Sequence, residues 1–385
     1  MESRTFFSIY LFTSFVTFFF FIPICLAHGA LGDEGSEGWG PFIFIPVIIA
    51  FGLFILLATK KKGWTILVIG GAGYIGSTLV QKLLDKGHRV TVFDSYCAGK
   101  DGLKGVQNNL DLKQVKGDLS DTNQLDEALR GCDAIIYLEE EGLNNTDETF
   151  VQKSDYLCTQ RIKVLLEKAD IAGVQKLIFT SSMSVYGKIN CENITEDTPL
   201  KPSSGFSDYL VSCEKLIESK NIEGVDTCIV RSSAIIGPSK GSYITGELNK
   251  IFCGVINNKS MGPIPGFKAI PFVHIQDLCD LYLFLLNQPG PKIDRQIFNV
   301  GSGVISDDEV FQTLKKKLKR SPKLKFKSSR NLVKRTFSFK KMTDYLGFKP
   351  QYKIYDGATD LIVFCRKNGT YLNDDRNTPL DEITN

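Results

Sequence analysis

Three glycines spaced three residues apart form a pattern with a direct chemical meaning. Gly70, Gly73 and Gly76 lie in the segment IGGAGYIG, between an apolar run, TILVIG, and a helical pattern, STLVQKLLDKG. Glycines at a strand-to-helix turn let the backbone approach a pyrophosphate, and the helix N-terminus stabilises the negative charge. The spacing therefore predicts that this turn binds the pyrophosphate of a dinucleotide.

Asp94 belongs to the same predicted site. It ends the next apolar run, VTVFDS, at about the separation from the glycines that is typical of a carboxylate binding the adenosine ribose hydroxyls. A carboxylate at this position repels the 2′-phosphate of NADP. The sequence thus predicts NAD, rather than NADP, as the cofactor.

The elements that must position these residues alternate between strands and helices. Apolar runs such as HRVTVFD, CDAIIYL and QKLIFTSS are separated by helical stretches. This alternation predicts an α/β fold of the Rossmann type, a doubly wound parallel sheet covered by helices on both faces. After DTCIVRSS the chain becomes rich in glycine and proline, which predicts a smaller C-terminal substrate lobe.

Six segments resemble the extended short-chain dehydrogenase/reductase family in content and in order. They are IGGAGYIG, the Gly117-Asp118-Leu119 step, SSMSVYG, VRSSAIIGP, FVHIQDL and FNVGSG. The family includes NAD-dependent nucleotide-sugar epimerases and dehydratases, and also hydroxysteroid dehydrogenases. The resemblance implies one such domain over residues 60–372, with an NAD-binding core at about 64–235 and a substrate lobe mostly at 236–372.

The glycine pattern and the resemblance together give a set of residues expected to contact NAD. They are Gly70, Gly73, Tyr74, Ile75, Gly76, Asp94, Asp118, Leu119 and Tyr209. Within this set, the resemblance implies that Asp118 and Leu119 lie along the adenine.

The resemblance also implies a catalytic tyrosine, a serine that binds the same substrate oxygen, and a lysine four residues after the tyrosine. In that family the ammonium lies one helical turn from the phenol and lowers its pKa from about 10. Ser182 matches the serine and Tyr209 matches the tyrosine, but Cys213 occupies the place of the lysine. We therefore expect Tyr209 to be a poor base near neutral pH. Lys215 lies about 600° around an ideal helix from Tyr209 and is not expected to replace the lysine.

Two more places depart from the family pattern. Glu139 and Glu140 follow the fourth predicted strand, where small residues usually pass the cofactor phosphates, and a carboxylate there is unfavourable unless it points away. The arginine that often binds a substrate phosphate before FVHIQDL is also missing. Ile270 and Pro271 stand in that neighbourhood, with Lys268 as the nearest alternative cation.

Three functions remain open on this basis. An epimerase or dehydratase acting on a nucleotide sugar is favoured by KRTFSFKKMTDYLGFKPQYKIYDG, which resembles the sugar-nucleotide branch. A membrane-bound 3β-hydroxysteroid or sterol dehydrogenase is favoured by the missing phosphate arginine and the apolar N-terminus. A catalytically weakened NAD-binding sensor or scaffold is favoured by the changes at Cys213 and Glu139.

The N-terminus predicts attachment to a membrane. Residues 1–27 are expected to be a signal peptide or a first membrane segment, residues 28–40 a short lumenal or extracellular stretch, and residues 41–59 a transmembrane helix. Lys60–Lys62 follow this helix, which predicts a domain facing the cytosol from an endomembrane or the plasma membrane. The tail at residues 373–385 is expected to be flexible.

The overall composition limits the partners. A net charge of +3 gives no indication of nucleic-acid binding. None of the ten cysteines forms a CxxC pair, so no metal site is predicted. Several fall inside apolar runs, such as Cys228 and Cys279, and these are expected to be buried thiols in a reducing compartment. The expected partners are a small-molecule substrate and a membrane, while a homodimer stays open.

Overall fold

The fold is described from a computed structural model. The described residues are 63–368 without 98, 139–147, 188, 190, 221–223, 241–245, 258–263, 266–268, 320, 325 and 328–334. The predicted membrane segments, the departures at Glu139 and Glu140, the alternative cation Lys268 and the C-terminal tail all lie outside these residues. None of the helices in the described part combines the length and the apolar character that a membrane crossing needs.

The main sheet has seven strands in the order β10-β6-β5-β4-β1-β2-β3, and all its neighbouring strands are parallel. The strands in chain order are β1 (Thr65–Ile69), β2 (Arg89–Asp94), β3 (Leu112–Lys116), β4 (Ala134–Tyr137), β5 (Lys176–Ser182), β6 (Asp226–Ser232), β7 (Ala234–Ile236), β8 (Ile264–Pro265), β9 (Ile270–His274), β10 (Gln296–Val300), β11 (Gly303–Ile305) and β12 (Phe326–Lys327). The order reverses between β1 and β4, and such a reversal opens a crevice at the carboxyl ends of the strands. The predicted Rossmann-type sheet is thus confirmed.

Helices cover both faces of this sheet. The helices of the described part, in chain order, are α1 (Tyr74–Asp85), α2 (Thr122–Leu129), α3 (Glu148–Ile171), α4 (Gly205–Ser219), α5 (Glu247–Ile256), α6 (Ile275–Leu286), α7 (Gly290–Ile293), α8 (Asp307–Leu318) and α9 (Ile354–Asn368). Alternate residues of β1 enter opposite cores: Ile66 and Val68 pack with α1 and α6, whereas Leu67 and Ile69 pack with α2, α3 and α4. This division explains why the strand is apolar at every position.

The C-terminal part builds a smaller lobe but does not stay within it. A three-stranded sheet, β11-β9-β7, packs with α5, α8 and α9 around a third apolar cluster. Between these elements, α6 packs against α1, and β10 pairs with β6 and forms one edge of the main sheet. The chain therefore returns to the main sheet after residue 235, which ties the lobe to the core.

Candidate functional site

The glycine loop joins β1 to α1 at the carboxyl edge of the sheet. Gly70 has a φ of 76°, a conformation that favours glycine, and its amide donates to the carbonyl of Phe93 at 2.9 Å. A β-carbon on Gly76 would lie 2.3 Å from the carbonyl oxygen of Gly70, so only glycine lets α1 begin this close to the loop. Gly73 is the N-cap of α1 and no side chain caps it, so the helix N-terminus offers its amides to an anion.

Asp94 lies directly beside this loop. Its Oδ2 accepts from the amide of Ala72 at 2.9 Å, and its Oδ1 accepts from the amide of Tyr96 at 2.7 Å. The structure thus brings the predicted acid and the predicted glycine loop together. The arrangement fits an NAD molecule with its pyrophosphate at the start of α1 and its adenosine ribose at Asp94.

Tyr74 and Ile75 direct their side chains into the protein, where both are buried. The hydroxyl of Tyr74 donates to the carbonyl of Gly237 at 2.5 Å and accepts from Asn249 Nδ2 at 2.8 Å. Asn249 Oδ1 accepts in turn from the amide of Gly237 at 3.0 Å. Burial raises the pKa of Tyr74, which keeps its hydroxyl protonated as a donor. These residues therefore offer their backbone to a cofactor, and the Tyr74 side chain fastens the glycine loop to the smaller lobe.

Asp118 and Leu119 follow β3 and have different surroundings. Leu119 is buried in the core beside α2 and α3. Both carboxylate oxygens of Asp118 accept from Arg161 Nη2, at 2.9 and 2.7 Å, and Oδ1 also accepts from the amide of Ser120 at 2.7 Å. Partial burial alone would raise the pKa of Asp118, but the hydrogen bonds from Ser120 and the charge of Arg161 outweigh it and lower the pKa. Asp118 is therefore an anion held by an arginine.

Ser182 and Tyr209 lie on elements that pack together. Ser182 ends β5, and its Oγ accepts from the amide of Ser184 at 3.2 Å in the turn that follows. Both β5 and this turn pack against α4, which carries Tyr209. Tyr209 is 3% exposed, and its hydroxyl lies 3.4 Å from that of Tyr137, the last residue of β4. Since β4 and β5 are parallel to β1, these side chains lie at the same sheet edge as the glycine loop.

The helix α4 is continuous from Gly205 to Ser219, and its geometry decides the place of Lys215. Cys213 is fully buried, whereas Lys215 is exposed. No bulge therefore rotates Lys215 towards the buried face that holds Tyr209. The expectation that Lys215 does not stand in for the lysine agrees with this helix.

A buried ion pair beside these positions was not predicted from the sequence. Glu214 is 0% and Arg231 is 3% exposed, and Arg231 Nη2 donates to Glu214 Oε2 at 2.8 Å. Ser181 Oγ donates to Glu214 Oε1 at 2.5 Å, and Arg231 Nη1 donates to the hydroxyl of Tyr186 at 2.7 Å. Ser181 adjoins Ser182 and Glu214 adjoins Cys213. The ion pair therefore joins α4 to β6, and the Ser181 hydrogen bond joins α4 to the end of β5. The available signal was the charge of Arg231 within the apolar strand DTCIVRS.

Comparisons with known proteins agree with this geometry. Residues 66–301 match the NAD dependent epimerase/dehydratase family. The chain is 27% identical over 319 residues to UDP-glucose 4-epimerase of Mycolicibacterium smegmatis, covering 78% of this chain and 98% of that protein. It is 30% identical over 179 residues to human sterol-4-alpha-carboxylate 3-dehydrogenase, decarboxylating, covering 44% of each chain. A crystal structure of dTDP-glucose 4,6-dehydratase from Streptomyces venezuelae with NAD bound is 26% identical, with a TM-score of 0.68, and the match covers 79% of this chain and 97% of that one.

Proposed function

Because the chain belongs to the NAD dependent epimerase/dehydratase family, we propose that it acts on a nucleotide sugar by hydride transfer to bound NAD. The observation that carries the proposal is the contact between the glycine loop and Asp94, which forms a site suited to NAD at the carboxyl edge of the sheet. The relatives named as a UDP-glucose epimerase and a dTDP-glucose dehydratase support a nucleotide sugar as the substrate. The family match confirms the resemblance noted in the sequence, and NAD is the cofactor.

Each candidate residue has a role in this proposal. When bound, NAD supplies the hydride acceptor. The backbone from Gly70 to Gly76 would hold its pyrophosphate and Asp94 its adenosine ribose, while Asp118 and Leu119 would lie along the adenine. Ser182 would donate a hydrogen bond to the reacting oxygen of the substrate, and Tyr209 would take the proton from it.

Selectivity for NAD tests the role of Asp94. The protein is expected to bind NAD more tightly than NADP, because the Asp94 carboxylate repels the 2′-phosphate of NADP. The Asp94→Ala variant is expected to have a smaller difference between its affinities for the two cofactors. Calorimetric titration with both cofactors measures it. Asp111→Ala is a matched control, since Asp111 is exposed just before β3. Equal affinity of the parent protein for the two cofactors would contradict the proposal.

Turnover tests the role of Cys213. The parent protein is expected to convert UDP-glucose or dTDP-glucose slowly near neutral pH and faster as the pH rises, because Cys213 occupies the position at which the family has its lysine. Cys213→Lys places an ammonium one helical turn from Tyr209 and is expected to raise turnover several-fold and to shift the pH profile downward. A decrease of one unit in a phenol's pKa corresponds to about 1.4 kcal/mol.

The controls for this experiment follow from α4. Lys215→Ala is expected to leave turnover unchanged, because Lys215 is exposed. Circular dichroism checks that a lysine at the buried position 213 leaves the protein folded. If the parent turns over fast and Lys215→Ala abolishes this turnover, Lys215 performs the role of the family's lysine.

The same assays distinguish the two alternative functions. The stretch of 30% identity to a sterol dehydrogenase makes a sterol the second substrate class to test. NADH formation with a 3β-hydroxysterol, and none with nucleotide sugars, would favour that enzyme. If Cys213→Lys binds NAD and acts on neither class, a sensor or scaffold becomes the better reading.

Membrane attachment through residues 41–59, with the domain in the cytosol, is part of the proposal. The lysines at 60–62 support this orientation. Protease added to sealed microsomes is expected to digest the domain. A protected domain whose mobility changes with glycosidase would place it in the lumen instead.

A further inference from the structure

Two cysteines of the smaller lobe face each other across a helix pair. Cys253 lies in α5 and Cys365 in α9, and these two helices pack against each other. Their Sγ atoms are 3.2 Å apart, and the residues are 1% and 5% exposed. A disulfide needs the sulfur atoms at about 2.05 Å, so a movement of about 1 Å would allow the bond to form.

We propose that Cys253 and Cys365 form a redox-active dithiol, which hydrogen peroxide or a small disulfide such as oxidised glutathione converts into an intramolecular disulfide between α5 and α9. In a reducing compartment such a bond is transient and reports the local redox state. The site lies in the third apolar cluster, which contains none of the residues assigned to NAD or substrate.

The two thiols have unequal roles. The hydrogen bond between the two sulfur atoms, reinforced by one from Asn257, favours the thiolate of Cys365 and lowers the pKa of Cys365. The same bond, together with burial, raises the pKa of Cys253. Cys365 is also the more exposed of the two and lies near the end of α9, where local opening of a helix costs least. Cys365 is therefore the attacking sulfur and Cys253 the resolving one.

With hydrogen peroxide the chemistry has two steps. The Cys365 thiolate attacks one peroxide oxygen, so that an S–O bond forms, the O–O bond breaks and hydroxide leaves, giving a sulfenic acid. The Cys253 sulfur then attacks the sulfenic sulfur. The S–S bond forms, the S–O bond breaks, and the departing hydroxyl leaves as water with the Cys253 proton. The proton that Cys365 lost on ionisation neutralises the hydroxide, so two thiols are oxidised and one peroxide is reduced to two waters. With oxidised glutathione, Cys365 displaces one glutathione thiolate and forms a mixed disulfide, and Cys253 then displaces the second, so that two glutathione thiols are released.

Other buried thiols in the described part provide matched controls. Burial raises the pKa of Cys228 to about 12, and burial also raises that of Cys279, so both are expected to be unreactive. Cys97 is exposed and serves as an internal indicator that the oxidant has reached the protein.

Disulfide mapping on the full chain tests the proposal. The reduced protein is treated with hydrogen peroxide or oxidised glutathione, free thiols are blocked with N-ethylmaleimide, and peptides are analysed by mass spectrometry. A linked Cys253–Cys365 peptide pair is expected, which dithiothreitol should separate. The midpoint of thermal unfolding is expected to rise on oxidation in the parent and in Cys279→Ser, but not in Cys365→Ser.

The mapping in the parent protein does not depend on the folding of any variant. After oxidation, the protein is unfolded and treated with N-ethylmaleimide. If Cys97 is oxidised but Cys253 and Cys365 both react with N-ethylmaleimide, the proposal is wrong. A linked pair that joins either cysteine to a different partner would also overturn it.

Discussion

Replacing Glu214 with glutamine is expected to lower the free energy of unfolding by about 3–5 kcal/mol, because the change leaves the Arg231 guanidinium buried without its counter-charge. Glu214 accepts three hydrogen bonds from Arg231 and one from Ser181. Burial by itself would lower the pKa of Arg231, but the bonds and charge of Glu214 outweigh it and raise the pKa. Arginine is not deprotonated in proteins, so in Glu214→Gln the guanidinium stays charged and the variant carries the full cost of an unpaired buried charge.

Denaturant unfolding with a helix-matched control measures this effect. Glu218 lies one turn further along α4 and is exposed, so Glu218→Gln is expected to change stability by no more than about 0.5 kcal/mol. The double change Glu214→Leu with Arg231→Met leaves no charge buried and is expected to cost less than Glu214→Gln alone. If the single change matches the control, or the double change is the worse of the two, the pair does not hold α4 in place.

The sequence was sufficient for the parts of the site that depend on local geometry. Gly70, Gly73 and Gly76 are neighbours along the chain, so their spacing already specifies a turn and a helix start. Asp94 could be placed because it ends the strand that pairs directly with β1. Uninterrupted apolar runs were enough to indicate a sheet buried on both faces.

The parts that depend on distant partners could not be predicted. Glu214 lies beside Cys213 on α4, and nothing in that helix indicates that it pairs with a charge in β6. The hydroxyl of Tyr74 bonds with Gly237 and Asn249, which lie far along the chain, and the glycine pattern does not indicate these partners. Such contacts depend on which elements pack together, and hydrophobic periodicity does not indicate which elements these are.

Helix α3 and strand β10 illustrate the same limit at the scale of whole elements. The helix begins at Glu148, well before the apolar pattern RIKVLLEKADIAG that predicted it. Strand β10 follows an irregular stretch but pairs with β6 in the main sheet rather than within the lobe. For β10, pairing with a strand far along the chain, rather than local preference, decides its place.

Gly76→Ala is expected to weaken NAD binding by about 10- to 100-fold, although alanine normally favours a helix over glycine by about 1 kcal/mol. The added β-carbon would lie 2.3 Å from the carbonyl oxygen of Gly70 and 2.6 Å from the Cα of Gly71. Both neighbours are backbone atoms, so no side chain can rotate to relieve the contact. Overpacking of this kind costs about 1–3 kcal/mol, and here it moves the loop that is expected to bind the pyrophosphate.

Gly105→Ala is the matched control in the same half of the protein. Among the described residues, its β-carbon would meet Gln81 Oε1 alone within 4 Å, at 3.9 Å, so NAD affinity is expected to stay within about twofold of the parent. Circular dichroism first shows whether both variants fold. Calorimetric titration of the folded variants with NAD then separates a local effect on binding from general unfolding. If folded Gly76→Ala binds NAD as tightly as Gly105→Ala does, the pyrophosphate does not lie on the glycine loop, because a displaced loop could not hold it unchanged.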